Sequence, residues 1–181
     1  VRTVHNPDYA ASGSMYSLWC ARDSLPGDFL LLESDLVYEP RALATLLAQP
    51  GPDAILLSGP TAAGDEVWVE TRDGSLVAMS KRREDLASVT GELVGIARIS
   101  AGLHARMQRI AAEAFTRSLR FDYETDPLRA GAGPGLGRDR RPGPPRAGQA
   151  AGLPARRRGP LARFRCAAPI VIIAMCHFPW A

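Results

Sequence analysis

Residues 28–40, Asp-Phe-Leu-Leu-Leu-Glu-Ser-Asp-Leu-Val-Tyr-Glu-Pro, constrain the fold of this chain more than any other stretch. Phe29 to Leu32 form an unbroken apolar run, which predicts a strand buried on both faces of a mainly parallel sheet. Glu33 and Asp35 follow at once. Carboxylates left uncompensated inside a core cost several kcal/mol, so they are expected at the strand's carboxyl end, where open α/β sheets bind ligands. They would there face solvent, ligand or a metal. The alternative is a polar strand end leading into a turn closed by Pro40.

The rest of the chain arranges itself around that strand. Residues 1–4 are strand-like and stop at His5-Asn6-Pro7, because Pro7 disfavours helix at Asn6. Ser12-Gly13-Ser14 precedes Met15, Leu18, Trp19 and Leu25 at broadly helical spacing, with Ser12 or Ser14 as the N-cap and backbone N–H groups offered to an anion. Residues 41–48 read as a helix, with Pro40 in its first turn, Leu43, Leu46 and Leu47 on one face, and Pro50-Gly51-Pro52 ending it. Residues 54–58 read as a second buried strand. Residues 66–70 alternate as a half-buried strand, Asp73-Gly74 supplies a hairpin turn, and residues 76–79 return. Residues 90–99 form another strand, in which Gly95 permits close approach of a ligand or of neighbouring backbone. Leu103, Met107, Ile110, Ala111 and Ala114 mark one face of a helix over 100–119. The order β-α-β-α-β-hairpin-β-α predicts an α/β sandwich of doubly wound type.

At 181 residues and 46% hydrophobic composition, one domain with a proper core is expected. The net charge of +3 conceals a split: residues 1–128 carry −6 and residues 129–181 carry +9. Basic tails bind nucleic acid or anionic membrane, but this one has no aromatic residue before Phe164 and no repeat, so nucleic acid is not the expected partner. Cys20, Cys166 and Cys176 have no paired spacing and are odd in number, which fits reduced thiols and a cytoplasmic setting. No charged leader with an apolar core opens the sequence, and the longest apolar run, 170–176, falls short of a bilayer span. His5, His104 and His177 lack metal-ligand spacing and read as structural or exposed.

Several segments together resemble the nucleotidyltransferases that make activated alcohols and sugars. They are Asn6-Pro7, Ser12-Gly13-Ser14-Met15-Tyr16-Ser17-Leu18, Phe29-Leu30-Leu31-Leu32-Glu33-Ser34-Asp35, Ser58-Gly59, Trp68-Val69-Glu70, Met79-Ser80-Lys81 and Thr90-Gly91-Glu92-Leu93-Val94-Gly95-Ile96. The likeness lies in their order and spacing over residues 1–128, and it is greatest to the phosphocholine and 2-aminoethylphosphonate cytidylyltransferase branch. The resemblance implies a Rossmann-like, doubly wound mixed sheet of the glycosyltransferase-A kind. It also implies transfer of CMP from CTP to an amino-alcohol phosphate or phosphonate, with release of pyrophosphate. Such chemistry needs charge neutralisation and in-line positioning more than a covalent partner.

By that pattern Asp35 is a ligand for Mg²⁺, a hard oxygen for a hard cation, where its plain role is a turn cap. Lys81, the chain's single lysine, faces phosphate or phosphonate oxygens; otherwise it is a solvated member of the Lys81-Arg82-Arg83 run. Ser14 sits at the anion-accepting helix start. Trp68 and Tyr123 form an aromatic wall for an ammonium group, with Glu124 or Asp122 as balancing charge, against ordinary packing roles. Glu92 resembles an acceptor that holds the transferred group. Two further readings stay open: a sugar-phosphate nucleotidyltransferase, and a non-catalytic α/β domain whose basic tail binds an acidic partner.

Two features of the family are missing from the sequence. A Gly-rich triphosphate loop does not precede Val1, and beyond Asp126 the only acid is Asp139. A partial nucleotidyltransferase domain at 1–128 is therefore expected, with incomplete metal and triphosphate sites. Residues 129–181 hold eight Gly and eight Pro and lose all apolar periodicity, which predicts a disordered tail. Their Arg, Gly, Pro and Ala match a GC-rich gene read in a shifted frame.

Overall fold

The computed structural model describes residues 2–124 and the strand Ile170–Ile173. In chain order the elements are α1 (Ser14–Cys20), β1 (Phe29–Glu33), α2 (Pro40–Leu47), β2 (Ala54–Ser58), β3 (Trp68–Arg72), β4 (Ser75–Ser80), β5 (Gly91–Ile99), α3 (Ala101–Phe115) and β6 (Ile170–Ile173).

The apolar run of β1 is buried on both faces, as its composition requires. Phe29 and Leu31 enter a core with Met15 and Leu18 of α1 and Leu103, Met107 and Ala111 of α3. Leu30 and Leu32 enter a second core with Leu46 of α2 and Ile96 of β5. Each β1 side chain alternates between two helix layers, so no polar face is available and none is encoded.

Strand directions depart from the expected mainly parallel, mixed sheet. β1 pairs in parallel only with β6, with Leu30 opposite Ile170 and Glu33 opposite Ile173. Every other junction is antiparallel. The reason lies in β5. β1 and β2 run in the same direction and are joined by the α2 crossover, the connection a parallel pair needs, but β5 lies between them and runs against both. The sheet is thus a mixed, mostly antiparallel one, with helices on both faces.

β5 carries two strands in succession along one edge. Gly91 and Glu92 pair with β3, residues 96–99 pair with β1, and β2 covers the opposite edge. Between those two partners Gly95 adopts φ +77°, in the left-handed region. A side chain there would strike the Glu33 carboxyl group. The expected close approach at Gly95 therefore exists, and its occupant is a neighbouring side chain rather than backbone.

The hairpin is as read: Asp73 and Gly74 take φ +52° and +74°, the two positive values of a type I′ turn. At the end of the sheet where β1 begins, polar groups finish the backbone. Ser100 Oγ caps α3 by accepting from Leu103 N–H at 3.1 Å. Asp53 and Asp28 accept from Ser100 and Ala101 N–H at 2.6 and 2.9 Å. The Arg98 guanidinium donates to the carbonyls of Leu47, Gln49, Gly51 and Pro52.

Several sequence expectations need correction. Residues 2–6 form no strand; Asn6 instead donates to Ser12 and Ser17 Oγ and fixes an irregular entry into α1. Leu47 is exposed, and β2 is half-buried rather than enclosed. α3 stops at Phe115, whose ring meets Tyr16, Trp19 and Phe121 edge-on at 5.2, 5.5 and 6.4 Å. Within 129–181, where a largely disordered tail is expected, Ile170–Ile173 forms a strand, consistent with its run of β-branched residues. The remaining tail residues, with Cys166, Cys176 and His177, lie outside the described residues.

Candidate active site

The carboxyl end of β1 is where the chain's ionisable side chains converge, and residues 119–124 bring them there. Leu119 and Phe121 offer their carbonyls to Gly13 and Met15 N–H at 2.9 and 3.1 Å. Between these bonds, Asp122 Oδ1 accepts from Ser14 N–H at 3.0 Å. The helix start does capture an anion, as its free N–H groups require, but the anion is the protein's own carboxylate. Neither Ser12 nor Ser14 is the N-cap; Gly13 holds that place without a side-chain cap. Its Cβ would fall 2.5 Å from Asp122 Oδ1 and 2.6 Å from Phe121 O.

Ser14 is buried and fully engaged. Its hydroxyl donates to Glu124 Oε2 at 2.7 Å and accepts from Tyr123 N–H at 3.0 Å. Lys81, at the end of β4, lies 3.2 Å from Asp122 Oδ2 and 3.8 Å from Glu124 Oε1. Burial works against its charge, yet Asp122 and then Glu124 outweigh it, so the Lys81 pKa is raised and the ammonium is kept. Burial raises the Glu124 pKa, only partly offset by the Ser14 hydrogen bond.

Tyr123 reaches the end of β1 itself. Its phenol donates to Glu33 Oε1 at 2.5 Å. Burial first, and the Glu33 charge second, push its pKa well above the usual phenol value. Burial likewise raises Glu33, with Tyr123 lowering it and Asp35 adding to the rise. Asp35 is exposed, two residues beyond Glu33. Asp65, from the loop between β2 and β3, also acts on Glu33.

The structure thus brings together Ser14, Lys81, Tyr123 and Glu124 of the residues singled out from sequence, with Asp35 beside them. Glu92 and Trp68 have other partners. Glu92 is buried and accepts from Thr61 N–H and Oγ1 at 2.9 and 2.7 Å, pinning the β2–β3 loop. The Trp68 ring is half-buried, with the Arg83 guanidinium 5.5 Å from its centroid. Sequence reasoning placed Glu33 at the ligand-facing strand end without giving it a partner, and it missed Gly13 as a site-forming residue. The signal for Glu33 was present: a carboxylate directly after a doubly buried strand, with a glycine in a later strand able to receive it.

Among the described residues, no group of three or more His, Cys, Asp or Glu is arranged to hold a metal ion. No described helix is long and apolar enough to cross a membrane. No family model matches the chain. One stretch of 60 residues is 38% identical to a CMP-5'-(3-aminopropyl)phosphonate synthase from Streptomyces rubellomurinus (strain ATCC 31215), covering 33% of this chain and 10% of that protein. The match therefore spans about a tenth of that relative's length.

Proposed function

We propose that this chain is part of a nucleotidyltransferase of the Rossmann-like, glycosyltransferase-A-like kind, transferring CMP from CTP to a phosphonate or phosphate that bears an amine. The observation that carries the reading is the convergence of Lys81, Asp122, Glu124, Tyr123 and Glu33 at the end of one buried strand. The likeness to the aminopropylphosphonate synthase supports the class of acceptor. In the reaction an acceptor oxygen bonds to the α-phosphorus of CTP, the bond to the β-phosphate oxygen breaks, and pyrophosphate departs.

Mg²⁺ fits this end of the sheet through Asp35. Mg²⁺ in such sites is held by one or two carboxylates plus substrate phosphates, and the exposed Asp35 carboxylate at a strand end offers that donor. When bound, the ion supplies charge neutralisation at the phosphates. Lys81, kept charged by its two carboxylate neighbours, is assigned to the acceptor's phosphonate oxygens. Asp122 and Glu124, two carboxylates beside the one Lys81 ammonium, favour a cationic amine; the Tyr123 ring is buried in the core. Trp68 is assigned to the same amine, its ring already holding one cation in Arg83.

The test is pyrophosphate release by the full chain with Mg²⁺, the four ribonucleoside triphosphates in turn, and 3-aminopropylphosphonate, 2-aminoethylphosphonate, phosphocholine or glucose 1-phosphate. CTP with an amine-bearing acceptor should give the highest rate. Preference for the sugar phosphate, or no release with any pair, would overturn the reading.

A further inference from the structure

We infer that the Lys81 ammonium is a stand-in for the acceptor's amine: it occupies the place beside Asp122 and Glu124 until an acceptor carrying both an amine and a phosphonate takes that place and releases Lys81 to the phosphonate oxygens. The inference rests on the function proposed above and deepens it, because the exchange then selects the acceptor. Three observations meet here. Lys81 Nζ lies 3.2 Å from Asp122 Oδ2 and 3.8 Å from Glu124 Oε1. The end of a lysine side chain is a CH₂–NH₃⁺ group on a flexible stem, the same group that ends an aminoalkylphosphonate, so the contacts that hold one suit the other.

The second observation is which members of the cluster can move. The Lys81 and Asp122 side chains are 54% and 33% exposed, against 6% for Glu124, so the ion pair opens outward and Lys81 can swing away without disturbing the core. The carboxylates are fixed: Ser14 N–H donates to Asp122 Oδ1 at 3.0 Å, and the Ser14 hydroxyl donates to Glu124 Oε2 at 2.7 Å. The third is that the other cations of the same run are turned elsewhere, Arg82 to Glu84 and Asp85 at 3.0 and 3.7 Å and Arg83 to the Trp68 ring. A ligand with an amine alone would displace Lys81 and leave its ammonium without a counter-charge. A ligand with a phosphonate alone would draw Lys81 off and leave two carboxylates, one of them almost wholly buried, beside a further negative charge. Only a ligand with both groups replaces each charge it displaces, which is discrimination built into the empty site.

The test uses the two halves of the acceptor, propylamine and propylphosphonate, on the full chain with Mg²⁺ and CTP, with binding followed by NMR titration and melting temperature recorded. In the native chain each half should bind about five- to tenfold more tightly when the other is present. In Lys81→Met that cooperativity should vanish, propylamine alone should bind several-fold more tightly than it does to the native chain, and 3-aminopropylphosphonate should bind roughly tenfold more weakly. A gain for the amine on losing a lysine is an outcome that neither a structural lysine nor a plain phosphonate-binding one gives. A second readout needs no variant: the chain has one lysine, so its side-chain Nζ resonance is unambiguous and should shift when 3-aminopropylphosphonate saturates the site. Propylamine binding that is unchanged or weaker in Lys81→Met, or an Nζ resonance unmoved at saturation, would overturn the inference; if Lys81→Met does not fold, the resonance decides. If the native chain prefers glucose 1-phosphate to the amine-bearing acceptor, the proposed function fails and this exchange with it. If it binds the amine-bearing acceptor while Lys81 stays where it is, the exchange alone fails.

Discussion

The two ends of the sheet use carboxylates in opposite ways. At the end where β1 begins, each acid has one backbone donor: Asp28 takes Ala101 N–H and Asp53 takes Ser100 N–H, while Arg98 is spent on four carbonyls. Where β1 ends, side chains also bind one another. Glu33, Asp122 and Glu124 share Lys81, Ser14 and Tyr123, and burial holds Glu33 and Glu124 above the usual carboxylate range. Polar groups that complete a fold are satisfied locally and leave nothing over. An excess of buried charge, maintained at a cost to the fold, distinguishes the end proposed for the chemistry.

The contrast can be broken most forcefully at Asp35. Asp35→Asn should lower turnover by about two to three orders of magnitude, as expected for loss of a charge that acts on the reacting phosphates, while leaving the melting temperature unchanged. Pyrophosphate release at saturating Mg²⁺ measures it, and near-native turnover would refute the assignment.

Gly13→Ala probes the join between α1 and the segment carrying the acids. Its new methyl meets a backbone carbonyl and the Asp122 carboxylate, neither of which yields cheaply, so a loss of about 1–3 kcal/mol in urea unfolding is expected. A neutral result would mean that residues 119–122 adjust freely. At the opposite end, Ser100→Ala removes an ordinary N-cap. It should cost about 1 kcal/mol of stability and leave turnover as it was; a fall in turnover would erase the distinction between the two ends.

The smallest effect concerns pH. The folded-state pKa of Glu124 is raised, so the folded chain binds the proton more tightly than the unfolded chain does. Its contribution is therefore fully present below the ordinary carboxyl value of 4.5 and is lost as pH rises through the folded value. Glu124→Gln should flatten the fall in stability across that interval. Denaturant midpoints measured from pH 4 upward would show it, and an unchanged slope would place the burden elsewhere.

What was legible in the sequence is local. Four consecutive apolar residues at 29–32 announce a doubly buried strand, Asp73-Gly74 announces its turn, and Pro40 announces the helix it opens. The direction of β5 was not legible, because apolar patterning is the same for a strand run either way; only its place between β1 and β2 decides it. The site was half legible. Lys81, Tyr123 and Glu124 are polar or aromatic residues in suggestive positions, but their meeting depends on Asp122 binding Ser14 across 108 residues of sequence. No window of the sequence contains that contact. The neighbours of Trp68 and Glu92, Arg83 and Thr61, are likewise set by the fold.

The bonds from residues 13–15 to residues 119–122 bear on the order in which the molecule assembles. Closing so large a loop costs chain entropy before any contact repays it. The two cores around β1 draw on α2, the hairpin and α3, most of which meet partners closer in sequence. The charged cluster, by contrast, exists only after the last described residues before the tail have docked on the first helix. During synthesis, everything up to α3 emerges while Ser14 still lacks the residues that cap and engage it. The charged cluster is thus completed after both cores have their helices, with the β6 strand still to join β1.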